Sequence, residues 1–329
     1  MEYVIYHDEE KNWKDYYISV FLSSVIKRLK RKYPKDTFKV IKDKSRYDQG
    51  LGGQCSVQNL CVINPSTEKY VVVSFFDDWK HHFMQHLGWK PDKMVKFFYA
   101  GGFNFYDYYN WKYEHRYQDD IVCPNNISEI YQPFYYNTYQ PGHLDYIDKL
   151  YESRTDKEIV DKIIFRGWLW PFRKHMLKDI DDDSVVIIEK REKGNLLNYR
   201  AYLEEMSSYK CSLSLPGGTE ICNRDIESFA VGTPVIRPLL GVNYEDPLIP
   251  NYHYINCFHN CPYWNGHPEY LDPASFSKYF LQTWRRVRYD QDYLRFISKN
   301  ARDWYLKHCT LQKNLDYLLP MIKLEDLDG

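Results

Sequence analysis

An α/β fold is what the 329-residue sequence predicts, and three observations carry it. Short apolar runs ("KIIF", "SVVIIE", "CSLSL", "TPVIRP") recur through residues 161–238, separated by stretches with helical spacing ("PFRKHMLKDI", "NYRAYLEEMSSY", "NRDIESFAVG"). Strands alternating with helices build a parallel, doubly wound sheet, because each helical crossover returns the chain to run in the same direction. A strand–helix–strand pattern also opens the chain, and the last stretch, from Ser275 on, is helical with amphipathic spacing. The division expected is an α/β half over 1–153 and a second over 154–329, with no repeat or low-complexity linker.

Taken in order, "EYVIYH" reads as a strand, followed by a helix in which Ile18, Phe21, Leu22, Val25, Ile26 and Leu29 recur at helical spacing, then a second strand to "FKVI". "CVINPSTEKYVVVSFFDDW" gives two β-rich runs around a Pro-Ser-Thr turn, and "KMVKFFYAGG" a short strand ending in glycines. Residues 104–150 are dense in Tyr, Asn and Asp with no clean period and read as loops and short elements. Pro171 suits the first turn of the helix after "KIIFRG". Asn223 suits the N-cap of the helix after "CSLSL", and Gly232 with Pro234 stops it.

Composition narrows the function classes. Hydrophobic residues at 44% and charged residues at 27% fit a globular domain. A formal net charge of −1 supplies no global field for nucleic acid or anionic lipid, so an anionic ligand has to be held by local arginines. No apolar run approaches the roughly 20 residues of a membrane helix. "MEYVIYHDEEKNWK" lacks a basic-then-apolar signal layout, which makes a cytoplasmic setting, cellular or viral, the expectation. The eight cysteines (55, 61, 123, 211, 222, 257, 261 and 309) are scattered, which predicts free thiols rather than a disulfide framework.

Chemistry concentrates where strands end. In open α/β sheets, ligands bind beyond the carboxyl ends of the strands. Arg166 and Gly167 follow "KIIF", and Pro216-Gly217-Gly218-Thr219 follows "CSLSL". Glycines let backbone N–H groups approach an oxyanion, and the next helix offers its positive end. On that helix Ile226, Phe229 and Ala230 form an apolar face, while Arg224, Glu227 and Ser228 share the other. Arg166, Arg224 and Arg173 would then grip a diphosphate through planar donor forks, and Glu227 would hold ribose hydroxyls. The glycine pair alone reads better as an ordinary crossover bearing surface ions; the nucleotide site is favoured only with Arg166, Arg224 and Glu227 beside it. No G-x-G-x-x-G is present, so the dinucleotide fingerprint is excluded.

The ordered set "IIFRGWLWPFRKHML", "YLEEMSSYKCSLSLPGGTEICNRDIESFAVGTPVIRP" and "NYEDPLIPNYHYI", spanning roughly 160–256, resembles the CAP10-type O-glucosyl/O-xylosyltransferases, and part of it resembles exostosin-like glycosyltransferases. That resemblance implies a GT-B architecture of two Rossmann-like halves facing a cleft, an acceptor-side domain over 1–153 and a nucleotide-sugar domain over 154–329. It implies a UDP-sugar donor, UDP-xylose or UDP-glucose, a carbohydrate acceptor, and no permanently bound cofactor. Arg166 and Gly167 match its Phe-Arg-Gly motif and Arg224 its helix arginine. Glu227 matches the exostosin-like pattern rather than the CAP10 one.

Inverting glycosyl transfer needs a base for the acceptor hydroxyl and cations for the leaving diphosphate. The family's strand-end aspartate corresponds to Asp77 first and Asp78 second; both also fit a simple strand-to-turn cap. A strand ending in Asp-Asp is similar to the metal-binding motif of GT-A transferases as well, but the arginines make a metal unnecessary here, and none is assigned. "DIDDDS" at 179–184 reads as a solvated turn. The glycine loop at 47–60 shapes either the acceptor side or a turn. Trp168, Trp170, Tyr106, Tyr108, Tyr109 and Trp111 are aromatic candidates for sugar stacking, although aromatics at such density more often serve ordinary core and surface packing. His253, Cys257, His259 and Cys261 lack tight zinc spacing, and "KRLKRK" reads as a solvated helix face. The oligomeric state is left open.

Overall fold

A computed structural model describes residues 1–7, 13–41, 59–74, 93–99, 143–155, 157–169, 171–216, 221–240, 246–258 and 273–328. Its elements run β1 (Glu2–His7), α1 (Trp13–Lys32), β2 (Thr37–Ile41), β3 (Asn59–Ile63), β4 (Tyr70–Ser74), β5 (Met94–Tyr99), α2 (His143–Ser153), β6 (Val160–Gly167), α3 (Pro171–Leu177), β7 (Val185–Glu189), α4 (Tyr199–Ser208), β8 (Tyr209–Leu213), α5 (Asn223–Val231), β9 (Val235–Pro238), β10 (Ile255–Phe258), α6 (Pro273–Val287), α7 (Gln291–His308) and α8 (Leu311–Met321), with a 3-10 turn at Leu324–Leu327. The α/β class is as expected. Among the described residues no helix is long and apolar enough to cross a membrane.

Contacts gather the described residues into two units, 1–99 with 308–328, and 143–307. The first unit carries a five-stranded sheet in the order β2-β1-β3-β4-β5. β1 runs parallel to β2 and β4 to β5, but β3 is antiparallel to both of its neighbours. The Pro-Ser-Thr turn explains the β3–β4 pairing, since a short link can only fold β4 back against β3. Asn64 Oδ1 accepts the Ser66 N–H at 2.9 Å there, and Asn64 N–H closes on Lys69 O at 3.0 Å.

One face of that sheet is covered by α1 through Phe21, Val25, Ile26 and Leu29 and by α8 through Leu315, Leu318 and Leu319. Sequence reasoning put the last helix in the second unit. Its amphipathic period shows that one face is buried but not which sheet buries it. Polar contacts fix the choice: Arg28 Nη1 donates to Asp316 at 2.9 Å, and Lys32 Nζ donates to the carbonyls of Leu319 and Ile322 at 3.3 and 3.2 Å.

The second unit carries an all-parallel sheet in the order β10-β9-β8-β6-β7. Chain order therefore reverses between β6 and β8: from β6 the sheet grows one way to β7 and the other way through β8, β9 and β10. Such a switch point leaves a crevice at the carboxyl ends of the two strands, because their following loops depart to opposite sides. Side chains alternate along β6. Ile163 and Phe165 join Met176, Leu177, Phe276, Phe280 and Trp284 in the core under α3 and α6, while Ile164 and Arg166 turn the other way.

Helix α5 runs from the switch point into the opposite layer and ends on Gly232, whose φ of 72° is left-handed. A Cβ at Gly232 would also lie 2.5 Å from Tyr151 Cδ2. Gly232→Ala therefore combines a strained backbone with a clash against a ring. It should destabilise the protein by about 2–4 kcal/mol, measurable as a lower denaturant midpoint.

Candidate functional site

The crevice is built from the ends of β6 and β8 and the start of α5. Among the described residues, Phe165, Arg173, Ser214, Cys222, Arg224 and Asp225 come together there, with Gly167 at the strand end and Tyr202 and Glu227 beside Arg224 and Cys222. Arg224, in the first turn of α5 and nearly fully buried, forks onto one main-chain oxygen. Its Nε donates to Arg166 O at 3.1 Å and its Nη2 to the same oxygen at 2.6 Å. The guanidinium lies 4.2 Å over the Phe165 ring. Gly167 makes this possible: a Cβ there would overlap Arg224 Nη2. The glycine is required by space, so a side chain at 167 and the observed seat of Arg224 exclude each other. Arg224 Nη1 meets no oxygen among the described residues; its contact is Cys222 Sγ at 4.0 Å.

Arg173 approaches the same ring, its guanidinium 5.8 Å from the Phe165 centroid. It donates from Nε to Pro216 O at 2.8 Å, from Nη2 to Leu215 O at 3.0 Å and from Nη1 to Trp168 O at 3.2 Å. A buried cation thus ties the loop after β8 to the loop after β6, and it fixes the two residues that lead into Gly217. Cys222 senses both cations. Burial, then Asp225, pushes its thiol up, and Arg224 and Arg173 oppose that rise. The thiol stays protonated in the neutral range, with Ser214 Oγ at 3.2 Å and Asp225 Oδ2 at 3.3 Å.

The expected pairing of two side-chain guanidiniums is corrected in one respect. Arg224 reaches residue 166, but it reaches the main chain. The Arg166 side chain lies on the other face of β6. There it forms a bidentate ion pair with Glu205 of α4, Nη2 to Oε1 at 2.6 Å and Nε to Oε2, and Nη1 donates to Asn195 O. Strand alternation is the physical reason: Phe165 buries toward α3, so residue 166 points toward α4. The two cations that flank Phe165 are Arg173 and Arg224.

One further expectation changes. The cap of α5 is Cys222 (φ −118°, ψ 165°), not Asn223, and Cys222 N–H donates to Asp225 Oδ2 at 2.8 Å. The acidic residue three positions on was the signal for this cap. The face of α5 shared by Arg224, Glu227 and Ser228 is as buried as the apolar one, since every residue from Arg224 to Val231 is buried. Glu227 faces α4, where it hydrogen-bonds the Tyr202 hydroxyl; burial, then the Glu227 charge, holds that phenol far above its usual range, so it acts as the donor. Sequence reasoning also missed the Asp225–Arg237 ion pair, 2.9 Å apart with both side chains fully buried, which anchors the first turn of α5 to β9.

Asp77, Asp78, Gly217 and Gly218 lie outside the described residues, as do Trp170, Tyr106, Tyr108, Tyr109, Trp111, His259, Cys261 and all but the end of the 47–60 loop. His253 Nδ1 accepts the Ile249 N–H at 2.8 Å, and Trp168 has the Arg191 guanidinium over its ring. Asp182 of "DIDDDS" accepts from Ser184 N and Oγ and pairs with Arg285 at 3.0 Å, a turn before β7. Among the described residues no three His, Cys, Asp or Glu side chains converge as a metal site would need. Cys211, Cys222, Cys257 and Cys309 are free thiols.

No family model matches the chain, and no curated protein matches it. Solved structures do resemble it. A glycosyltransferase from Rickettsia africae is 13% identical with a TM-score of 0.44, covering 98% of this chain and 85% of that one. HepE from Anabaena, in complex with UDP and glucose, is 11% identical with a TM-score of 0.48, covering 96% and 97%. The pneumococcal O-GlcNAc transferase GtfA, in complex with UDP and GlcNAc, is 10% identical with a TM-score of 0.39, covering 92% and 55%. At scores below 0.5 none of them bears on the chemistry of this chain.

Proposed function

We propose that the protein is a glycosyltransferase of the CAP10-like, GT-B kind. It would move a hexose or pentose from a UDP-sugar to a hydroxyl of a glycan, with inversion and without a metal. The single observation that carries the reading is the seat of Arg224: a buried guanidinium at the switch point of a parallel sheet, fixed by the 166 carbonyl in space that Gly167 leaves open, with Nη1 meeting no oxygen among the described residues. A cation held this way is preorganised for the charge that develops on a departing diphosphate.

Arg224 and Arg173 supply the positive charge, and the amides of Gly217 and Gly218 would close on the phosphates. Glu227 would hold ribose by exchanging or sharing its bond to Tyr202. Asp77, or Asp78 in its place, takes the acceptor proton as the new C–O bond forms and the bond from the sugar to the diphosphate breaks. Arg166 serves through its carbonyl. The ordered motifs over residues 160–256 support the UDP-sugar choice, with UDP-xylose and UDP-glucose the first donors to try.

The test is a calorimetric panel of UDP, GDP and CMP, followed by UDP release from the two sugar donors with and without EDTA. UDP should bind best and EDTA should leave turnover unchanged. Loss of turnover with EDTA would point to metal-dependent chemistry; binding of UDP without release from any donor would point to a binding protein. If no nucleotide binds, the proposal fails.

A further inference from the structure

We infer that Glu205 is a positioning residue for nucleotide binding, acting through Arg166 on the guanidinium of Arg224; the inference rests on the nucleotide site proposed above. The route is continuous. Glu205 on α4 grips the Arg166 side chain with both carboxylate oxygens, and Asn195 O takes its remaining fork. The Arg166 carbonyl in turn takes both Nε and Nη2 of Arg224.

The strand end needs this grip. β6 is paired with β7 as far as Gly167 and Glu189, but its pairing with β8 stops at Ile164 and Ser212. Beyond that point the 167 carbonyl is held by Lys190 N–H at 3.0 Å, on the β7 side. The 166 carbonyl points the other way, because main-chain groups alternate along a strand, and on that side no ladder holds it. Its orientation is set by two things: Arg224 as donor, and the anchoring of its own side chain from the opposite face. Release the side chain, and the 166–167 peptide can pivot about a strand held along one edge. The fork on Arg224 then loses its fixed acceptor, and Nη1 loses its aim.

Arg166 and Glu205 are both partly shielded, with side-chain exposures of 10% and 23%, so the pair is stronger than an exposed one. The arrangement also explains why an arginine stands at 166 although its guanidinium is turned away from the crevice.

Glu205→Gln keeps the shape of the side chain and one acceptor oxygen while removing the charge and the second strong bond. Measured by UDP titration, it should weaken affinity by about tenfold, within the range that coupled neighbours span, while the denaturant midpoint falls only by the modest cost of losing a half-shielded ion pair, leaving the protein fully folded under the binding conditions. Glu205→Asp, which restores the carboxylate, should recover most of that loss. Unchanged UDP affinity in Glu205→Gln, with the wild type binding normally, overturns the inference and leaves the nucleotide site standing. A fall in affinity that only tracks a fall in the folded fraction also overturns it. A wild type that binds no nucleotide fails at the earlier step and takes both readings down.

Discussion

Gly167→Ala should weaken nucleotide binding by one to two orders of magnitude and leave the fold in place. The added methyl would occupy the position of Arg224 Nη2, with Arg224 Cζ at 3.2 Å and the edge of the Phe165 ring at 3.4 Å. The atom in the way is the far end of a flexible side chain, so the chain yields by moving the guanidinium rather than the strand. The stability cost should stay near 1 kcal/mol, at the low end for an added methyl in a packed site. The binding cost should be larger. A displaced guanidinium gives up a charge-assisted contact to phosphate, which is worth about 1.5–3 kcal/mol, or roughly 10- to 100-fold in affinity. Arg224→Met should show the same loss, and the double variant should lose little more, because both act on one group. A Gly167→Ala protein that binds UDP as tightly as the wild type would show that the guanidinium is not the contact.

The second large effect is on stability. Asp225→Asn should destabilise the protein by about 1–3 kcal/mol, read as a lower denaturant midpoint, because it removes a charged partner from a buried arginine. Asp225 and Arg237 are 0% and 1% exposed and stand 2.9 Å apart as charges, with geometry poor for an aligned hydrogen bond. Asparagine can still accept from the Cys222 N–H, so the cap on α5 survives and the loss isolates the charge. Arg237→Met combined with Asp225→Asn should recover part of the stability, since the buried cation goes with its partner. Full stability of the single variant would mean that water or another group already compensates Arg237.

Much of this was legible in the sequence. Strands β6 to β9 and the helices between them follow from period, whereas α2 falls in a stretch read as loops, β10 was not read, and the switch point was out of reach because alternating strands and crossovers do not fix the order of strands in a sheet. The hairpin of β3 and β4 was visible in "NPST". Other features were not. Period shows that α8 has an apolar face but not that α1 and β1 are its partners. The direction of Arg166 was within reach, because a large aromatic at 165 assigns the core side and strand alternation then sends 166 away. Its partner Glu205 was not, since helix α4 could have presented any of its acidic residues. Cys222 was passed over as a cap because cysteine rarely caps, although Asp225 completed the pattern. Burial of both faces of α5 depended on α4 and α2 packing on it, which residues 223–231 alone do not encode.

The central claim is that Arg224, seated on the 166 carbonyl beside Gly167, holds the diphosphate of the donor. An experimental structure with UDP tests it most directly. The account predicts phosphate oxygen within hydrogen-bonding distance of Arg224 Nη1, while Arg166 remains paired with Glu205. UDP bound elsewhere, or on an Arg166 side chain swung away from Glu205, would contradict it.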